Sequence, residues 1–251
     1  MVEVRELSAG YGGEAVLRHV TMSFPTGKVL ALLGPNGCGK STRTKTALGL
    51  LPKLGGEVLI DGVSTESLTP RQIARKATYL AQNRNVPSIT ARRMVLHGRF
   101  PYLSYPRRYR PEDHAIAQRA LEWADGLELA DRSMQSLSGG QRQKVYVAMA
   151  LAQDTETVFM DEPTTYLDVK HQIEVMAVAR RLAEQGRSVV AVLHDLCLAM
   201  RTADVVAVLW EGQLLQVGTP EEVFTSGVLD RVFGVAVKRV RTDSGWQYYY
   251  G

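Results

Sequence analysis

Gly34-Pro35-Asn36-Gly37-Cys38-Gly39-Lys40-Ser41-Thr42 follows directly on the apolar run Val29-Leu30-Ala31-Leu32-Leu33. Its fixed positions fit the spacing G-x-x-x-x-G-K-[ST]. The run before it reads as a strand buried on both faces. Ser41 to Leu51 reads as a helix. Strand, glycine-rich turn and helix in that order make an anion cradle. Glycines let backbone N–H groups close around phosphate oxygens, where side chains would block the approach. The helix N-terminus adds partial positive charge. Lys40 is expected to reach the terminal phosphates, and the Ser41 hydroxyl to ligate Mg²⁺. Gly34 through Thr42 are therefore candidates for nucleotide contact. A chance glycine-rich turn is the competing reading, and the flanking strand and helix weigh against it.

The rest of the chain bounds what such a site serves. With 251 residues there is room for one large domain, or a core carrying an inserted subdomain. Apolar residues make up 45% and charged ones 22%, which fits a globular chain and argues against disorder. A net charge of +4 suits an anionic ligand, a membrane surface or nucleic acid equally well. Cys38 and Cys197 form neither a metal spacing nor a disulfide framework, which suggests a reducing compartment. The N-terminus lacks a signal pattern. No apolar run approaches the roughly 18 residues that cross a bilayer. If the protein works at a membrane, another chain is expected to supply the spanning part.

In order, Val2 to Leu7 alternates loosely, and a turn at Ala9 to Gly13 precedes a strand at Ala15 to Phe24. Val58-Leu59-Ile60 is a strand closed by Asp61-Gly62. Thr69-Pro70 starts a helix running to Lys76. Ala77 to Ala81 is a strand, with Gln82 at its end. From Ser88 to Gln153 the chain reads mostly helical, with helices at Glu112–Asp125 and from Ser138 onward. Between the helices lies a loop, Arg99 to Pro111, rich in Arg, Tyr and Pro. Strands return at Thr157–Met160 and Ser188–Leu193, joined by an amphipathic helix at Lys170–Glu184. Asp204–Trp210 and Leu214–Val217 form a hairpin. Thr219-Pro220-Glu221-Glu222 is a capping box. Val235–Tyr250 folds as a last hairpin turning at Asp243-Ser244-Gly245. Alternating strands and helices imply an α/β fold with a mainly parallel sheet. No internal repeat is present.

Two further stretches bear on phosphate. Thr157-Val158-Phe159-Met160 ends in Asp161-Glu162. In a phosphate-loop protein this strand's carboxyl end points at the nucleotide. Asp161 is placed to hold Mg²⁺, and Glu162 to orient or deprotonate the attacking water. Leu137-Ser138-Gly139-Gly140-Gln141 is a second glycine-rich turn opening a helix, and it can bind phosphate for the same reason as the first. A single nucleotide has one triphosphate to cradle, so this turn makes sense if it faces the nucleotide of another subunit. The plain alternatives are exposed acids at a strand end and an ordinary Ser138 helix cap.

Taken together, these motifs make the chain similar to ATP-binding subunits of ABC transporters over essentially its whole length. The resemblance implies a P-loop (RecA-like) core with an antiparallel β subdomain and an inserted helical subdomain. Residues 1–87 and 154–251 would be the nucleotide-binding core, and 88–153 the helical part. It makes Gln82 the Q-loop glutamine, a ligand to Mg²⁺, and Ser138, Gly139, Gly140 and Gln141 the signature. Asp161 becomes the Walker B acid and Glu162 the catalytic base. Leu167-Asp168 becomes the D-loop and His194-Asp195 the switch histidine pair. Tyr11 matches the aromatic that stacks on adenine. The implied assembly is a head-to-tail homodimer binding ATP and Mg²⁺. It would sit peripherally on the cytoplasmic face of the cell membrane, on transmembrane permease subunits served by a periplasmic or surface substrate-binding protein.

Pro163-Thr164-Thr165-Tyr166-Leu167-Asp168 followed by His171-Gln172 looks like the iron-chelate importer branch, as does Gly98-Arg99-Phe100-Pro101-Tyr102. Cys38, Leu80-Ala81-Gln82 and Met149 look most like its ferric-siderophore members. Haem and cobalamin importers are the alternatives. A soluble ABC-type ATPase acting on nucleic acid or ribosomes is the alternative class, but the expected partners include no nucleic acid. The Arg99 to Arg110 loop reads either as a solvated basic loop or as a face meeting permease and anionic lipid. Nucleic-acid contact is a more distant reading.

The match has departures. Arg43 and Thr44 stand where relatives are usually apolar. Cys38, at a helix N-terminus, is expected to have a lowered thiol pKa. Cys197 is expected to be an inert core thiol.

Overall fold

The computed structural model describes residues 1–12, 14–35, 37–82, 86–243 and 245–251, and the side chains of Tyr11, Ser41 and Arg43 lie outside that description. The chain opens with β1 (Val2–Tyr11) and β2 (Glu14–Phe24). β3 (Val29–Leu33) is buried at every position, as an unbroken apolar run requires. α1 (Lys40–Ala47) follows the phosphate loop. It ends before Leu51 because Gly49 takes a φ of +66°. The N–H groups of Gly49 and Leu50 then donate back to the Thr46 and Lys45 carbonyls, a Schellman closure. β4 (Lys53–Ile60) begins well before its apolar run, since it pairs with β1 as far as Ala9↔Lys53. Gly55 and Gly56 hide that half of the strand from a pattern reading. β5 (Val63–Ser64) is brief.

α2 (Pro70–Lys76) opens on Thr69 with a complete capping box to Gln72. β6 (Ala77–Leu80) leads to Gln82. α3 (Ala91–Leu96), α4 (Pro111–Trp123) and α5 (Gly139–Ala152) then precede β7 (Thr157–Asp161). α6 (Val169–Glu184) leads to β8 (Ser188–Val192), followed by α7 (Leu196–Thr202) and the hairpin β9 (Val205–Trp210) and β10 (Gln213–Gly218). α8 (Pro220–Thr225), α9 (Val228–Phe233), β11 (Val237–Thr242) and β12 (Gly245–Tyr250) complete the chain. Thr219 caps α8 through Glu222 as the sequence predicts.

The main sheet runs β10-β9-β3-β8-β7-β6, parallel throughout except between β9 and β10. Strand order reverses about β3, so the carboxyl ends of β3, β7 and β8 open on one crevice. A second, antiparallel sheet, β2-β1-β4-β5, covers one face. There Phe24 meets Phe159 edge-on at 5.3 Å within a cluster that includes Leu30, Leu32, Val190 and Val192. The other face, with Ala31, Val158 and Met160, packs against Leu121, Val145, Val178 and Leu182 of α4, α5 and α6.

The Arg99 to Pro111 stretch corrects one expectation. Arg99 does not belong to a solvated basic loop. It lies in a 3₁₀ turn, His97–Tyr102, and is 6% exposed. Its Nε donates to Asp113 Oδ1 at 3.1 Å and its Nη1 to the Ala152 carbonyl at 2.9 Å. Tyr102 lies under the guanidinium at 3.9 Å, and its hydroxyl donates to the Gln153 carbonyl at 2.9 Å. A buried charge needs such partners. Phe100, Tyr105, Arg107 and Arg108 remain on the surface.

Candidate nucleotide site

Gly34 leaves the end of β3, and the turn then passes through Gly37 and Gly39 at φ +78° and +99°. A side chain would be strained at either position. Gly39 is the N-cap residue of α1, and its conformation turns the backbone into that helix. Lys40 is buried, and its Nζ donates to the carbonyls of Gly34 at 2.6 Å and Pro35 at 2.8 Å. The cation is therefore held back over the loop. Thr42 is buried in the same turn. Thr44 is buried too, its hydroxyl satisfied by the Lys40 carbonyl at 3.2 Å. Asn36, and the side-chain roles expected of Tyr11, Ser41 and Arg43, lie outside the described residues.

The two acids close the far side. Asp161, at the end of β7, is 3% exposed and accepts a hydrogen bond from the Tyr79 hydroxyl at 2.6 Å. Glu162 takes a φ of +49° and anchors its N–H on the Val192 carbonyl at 3.2 Å. Its carboxylate is held on several sides. Gln82 Nε2 donates to Oε2, Thr165 Oγ1 donates to the same oxygen at 3.2 Å, and His194 Nε2 lies 2.5 Å from Oε1. Gln82, Glu162 and His194 thus meet at one point, reached from the ends of β6, β7 and β8.

The second glycine turn is built differently. Ser138 and Gln141 spend their side chains on each other's N–H groups in a capping box. Gly139 is open on its outer side, whereas a Cβ at Gly140 would stand 2.6 Å from the His171 ring. His171 Nδ1 lies 2.7 Å from Asp168 Oδ1, and Asp168 also caps α6 through the His171 N–H. That N–H and the imidazole hold the Asp168 carboxyl below its usual range. Gln143 of α5 donates to the Pro163 carbonyl at 2.9 Å, and Gln172 of α6 donates to the Leu167 carbonyl at 3.0 Å. The loop after Glu162 is thereby clamped from two helices.

Residues 17–165 match the ABC transporter family model. Over 93% of its length the chain is 40% identical to the iron(3+)-hydroxamate import ATP-binding protein FhuC of Bacillus subtilis strain 168, covering 88% of that protein. The chain belongs to the ABC transporter ATP-binding family. It is also 39% identical to the ferric enterobactin transport ATP-binding protein FepC of Escherichia coli K12, over 92% of this chain and 86% of that one. A metal-chelate type ABC transporter solved in an inward-facing conformation superposes with a TM-score of 0.86 at 25% identity, covering 100% of this chain and 96% of that one. A bacterial ABC transporter cassette solved as a dimer superposes at 0.77 with 28% identity, over 88% of this chain and 99% of that one.

The structure of this ABC ATP-binding chain overturns the expected lowered pKa of Cys38 and the expected core position of Cys197. Cys38 is 7% exposed, beneath Gly34 and 3.9 Å from Lys40 Nζ. Burial pushes its thiol up, and the opposing pull of Lys40 does not reverse that. Cys197 is not a core thiol but a half-buried one, at the start of α7 beside the Tyr250 hydroxyl. Tyr79, Thr165, Gln143 and His171 carry contacts that the motif reading did not assign. For Tyr79 the only sequence signal is its place three residues before Gln82 on an apolar strand.

Proposed function

We propose that this chain hydrolyses ATP to power an importer of an iron chelate, specifically a ferric siderophore. The observation that carries this reading is the convergence of Gln82, Glu162 and His194 across from the phosphate loop, in a chain this similar to siderophore import ATP-binding proteins. The backbone from Gly34 to Thr42 and the Lys40 ammonium bind the triphosphate, and Tyr11 stacks on adenine. Glu162 takes a proton from the attacking water, held in line by Gln82 and His194. His194 also meets the γ-phosphate. The available donors are hard oxygens, with one carboxylate nearly fully buried, and that suits Mg²⁺. Ser41, Asp161 and Gln82 would hold the ion, which neutralises phosphate charge when bound.

Ser138, Gly139, Gly140, Gln141 and Asp168 serve the nucleotide of a second copy, and that requires a head-to-tail homodimer. Residues 1–87 and 154–251 act as the core, and 88–153 as the helical arm. Among the described residues no helix is long and apolar enough to cross a membrane. We place the chain peripherally, on the cytoplasmic face, under a permease fed by a substrate-binding protein, on the strength of its importer relatives. A groove of about 550 Å³ lined by Arg71, Phe100, Pro101, Leu103, Tyr105 and Arg107 supports permease docking there. A hemin importer is the second reading, favoured by 41% identity to the hemin import ATP-binding protein HmuV of Rhodococcus jostii strain RHA1, over 90% of this chain and 77% of that one.

Co-purification from native membranes tests the reading. The tagged chain should bring down a polytopic permease, and the complex should hydrolyse ATP. Recovery of soluble or nucleic-acid partners alone would remove the transport role. Lys40→Ala should abolish micromolar nucleotide binding, and unchanged affinity would remove the phosphate-loop assignment.

A further inference from the structure

The register of β6 against β7 points to a further residue. Tyr79 pairs with Phe159 and Leu80 with Met160 in parallel strands. Side chains two apart on a strand share a face, so Phe159 and Asp161 point the same way. That face carries the buried cluster of Phe159, Leu32 and Val192, and Tyr79 packs against it. One strand step of two residues covers about 7 Å. The Tyr79 side chain lies along that step, and its hydroxyl meets Asp161 Oδ2 at 2.6 Å. Three residues further along, Gln82 donates to Glu162. The end of β6 therefore supplies a donor to each of the two consecutive acids.

We propose that Tyr79 is a positioning residue for Asp161, fixing the carboxylate in the orientation that receives Mg²⁺ with bound ATP. This rests on the ATPase reading above. The physical case is geometric. A carboxylate at a strand end can rotate about its last torsion, and an O–H···O⁻ bond in a shielded site is among the strong ones. Fixing one oxygen sets the direction of the other. Partners that orient a metal ligand typically govern metal affinity by roughly 10- to 100-fold. The ring itself is packing, whereas the hydroxyl is the functional atom.

The test is Tyr79→Phe in the full chain, which keeps the ring and removes only the hydroxyl. A ribose-labelled fluorescent ATP is titrated in EDTA and then at increasing Mg²⁺, alongside ATPase rate and thermal melting. The expected result is unchanged affinity in EDTA, an unchanged melting temperature, and a half-saturating Mg²⁺ concentration raised by about tenfold or more. In an Asp161→Asn background the same change should add nothing, because the group it orients is already altered. An Mg²⁺ dependence identical to that of the parent chain would overturn the proposal. So would a lowered melting temperature with weaker binding in EDTA and no Mg²⁺ effect, which marks a packing role alone. Failure of the parent chain to bind the fluorescent ATP under any condition would instead overturn the ATPase reading.

Discussion

His194 Nε2 lies 2.5 Å from Glu162 Oε1, joining the residue that follows β8 and Leu193 to the one that follows β7. The contact orients one carboxylate oxygen of Glu162. Gln82 holds the other oxygen from the opposite side. Glu162 thus faces the crevice as an oriented acceptor.

Glu162→Gln keeps this shape and removes the proposed proton acceptor. Hydrolysis should fall by about 10²- to 10⁴-fold with ATP affinity unchanged, and dimer should accumulate with ATP in size-exclusion chromatography. Near-normal turnover would remove Glu162 as the base.

Gly140 and His171 make the second test. A Cβ at Gly140 would come within 2.6 Å of an imidazole that Asp168 holds in place. Gly140→Ala should destabilise the chain by about 1–3 kcal/mol, as overpacking does. Melting temperature should fall by about 2–12 °C. Adding His171→Ala should return much of that loss, and strict additivity in the melting data would show that the two residues are uncoupled.

Cys38 should react slowly with iodoacetamide in the native chain at pH 8. Burial raises its pKa, so the thiolate appears only as pH climbs beyond the ordinary thiol range. A raised pKa in the folded state also means that the thiol's contribution to stability is complete below the unfolded pKa and is lost as pH rises through the folded value. Mass spectrometry of the labelled peptide should show the rate rising with pH and rising sharply in denaturant. Fast stoichiometric labelling of the native chain at pH 7.5 would contradict this.

The Arg99 and Asp113 pair joins the turn before α4 to the first turn of α4, and Arg99 also reaches the Ala152 carbonyl at the end of α5. Arg99→Met removes the buried cation facing Asp113 and leaves the carboxylate only Arg110. It should cost up to about 3–5 kcal/mol, lowering the melting temperature by up to about 6–20 °C. Burial alone would raise the Asp113 pKa. The Arg110 N–H and the Arg99 guanidinium outweigh it and hold the carboxyl low. The pair's stabilisation is therefore complete above the ordinary carboxylate pKa, near 4, and is lost as pH falls through the lower folded value. Acid titrations of the parent chain and the Met variant should converge there, and parallel curves would contradict the assignment.

Much of this molecule is legible along the chain. The spacing of Gly34, Gly39, Lys40 and Ser41, the apolar runs of β3, β7 and β8, and the caps at Thr69, Ser138 and Thr219 are local signals. Periodicity and turn chemistry act over a few residues, so they survive in one dimension. What a local pattern misses is also consistent. Gly55 and Gly56 belong to a strand only because β1 lies beside them. α1 stops at Ala47 because one glycine takes a left-handed turn.

By itself, then, the sequence determined the α/β class, the order of the phosphate-binding motifs and the resemblance that named the family. Only the tertiary structure decided which groups share a charge or a space. It buried Arg99 against Asp113, set His171 under Gly140, shut Cys38 away from solvent and brought Tyr79 onto Asp161. The physical reason is that burial and pairing depend on strand order and register. These unite residues tens of positions apart, and no spacing along the chain encodes that distance in space.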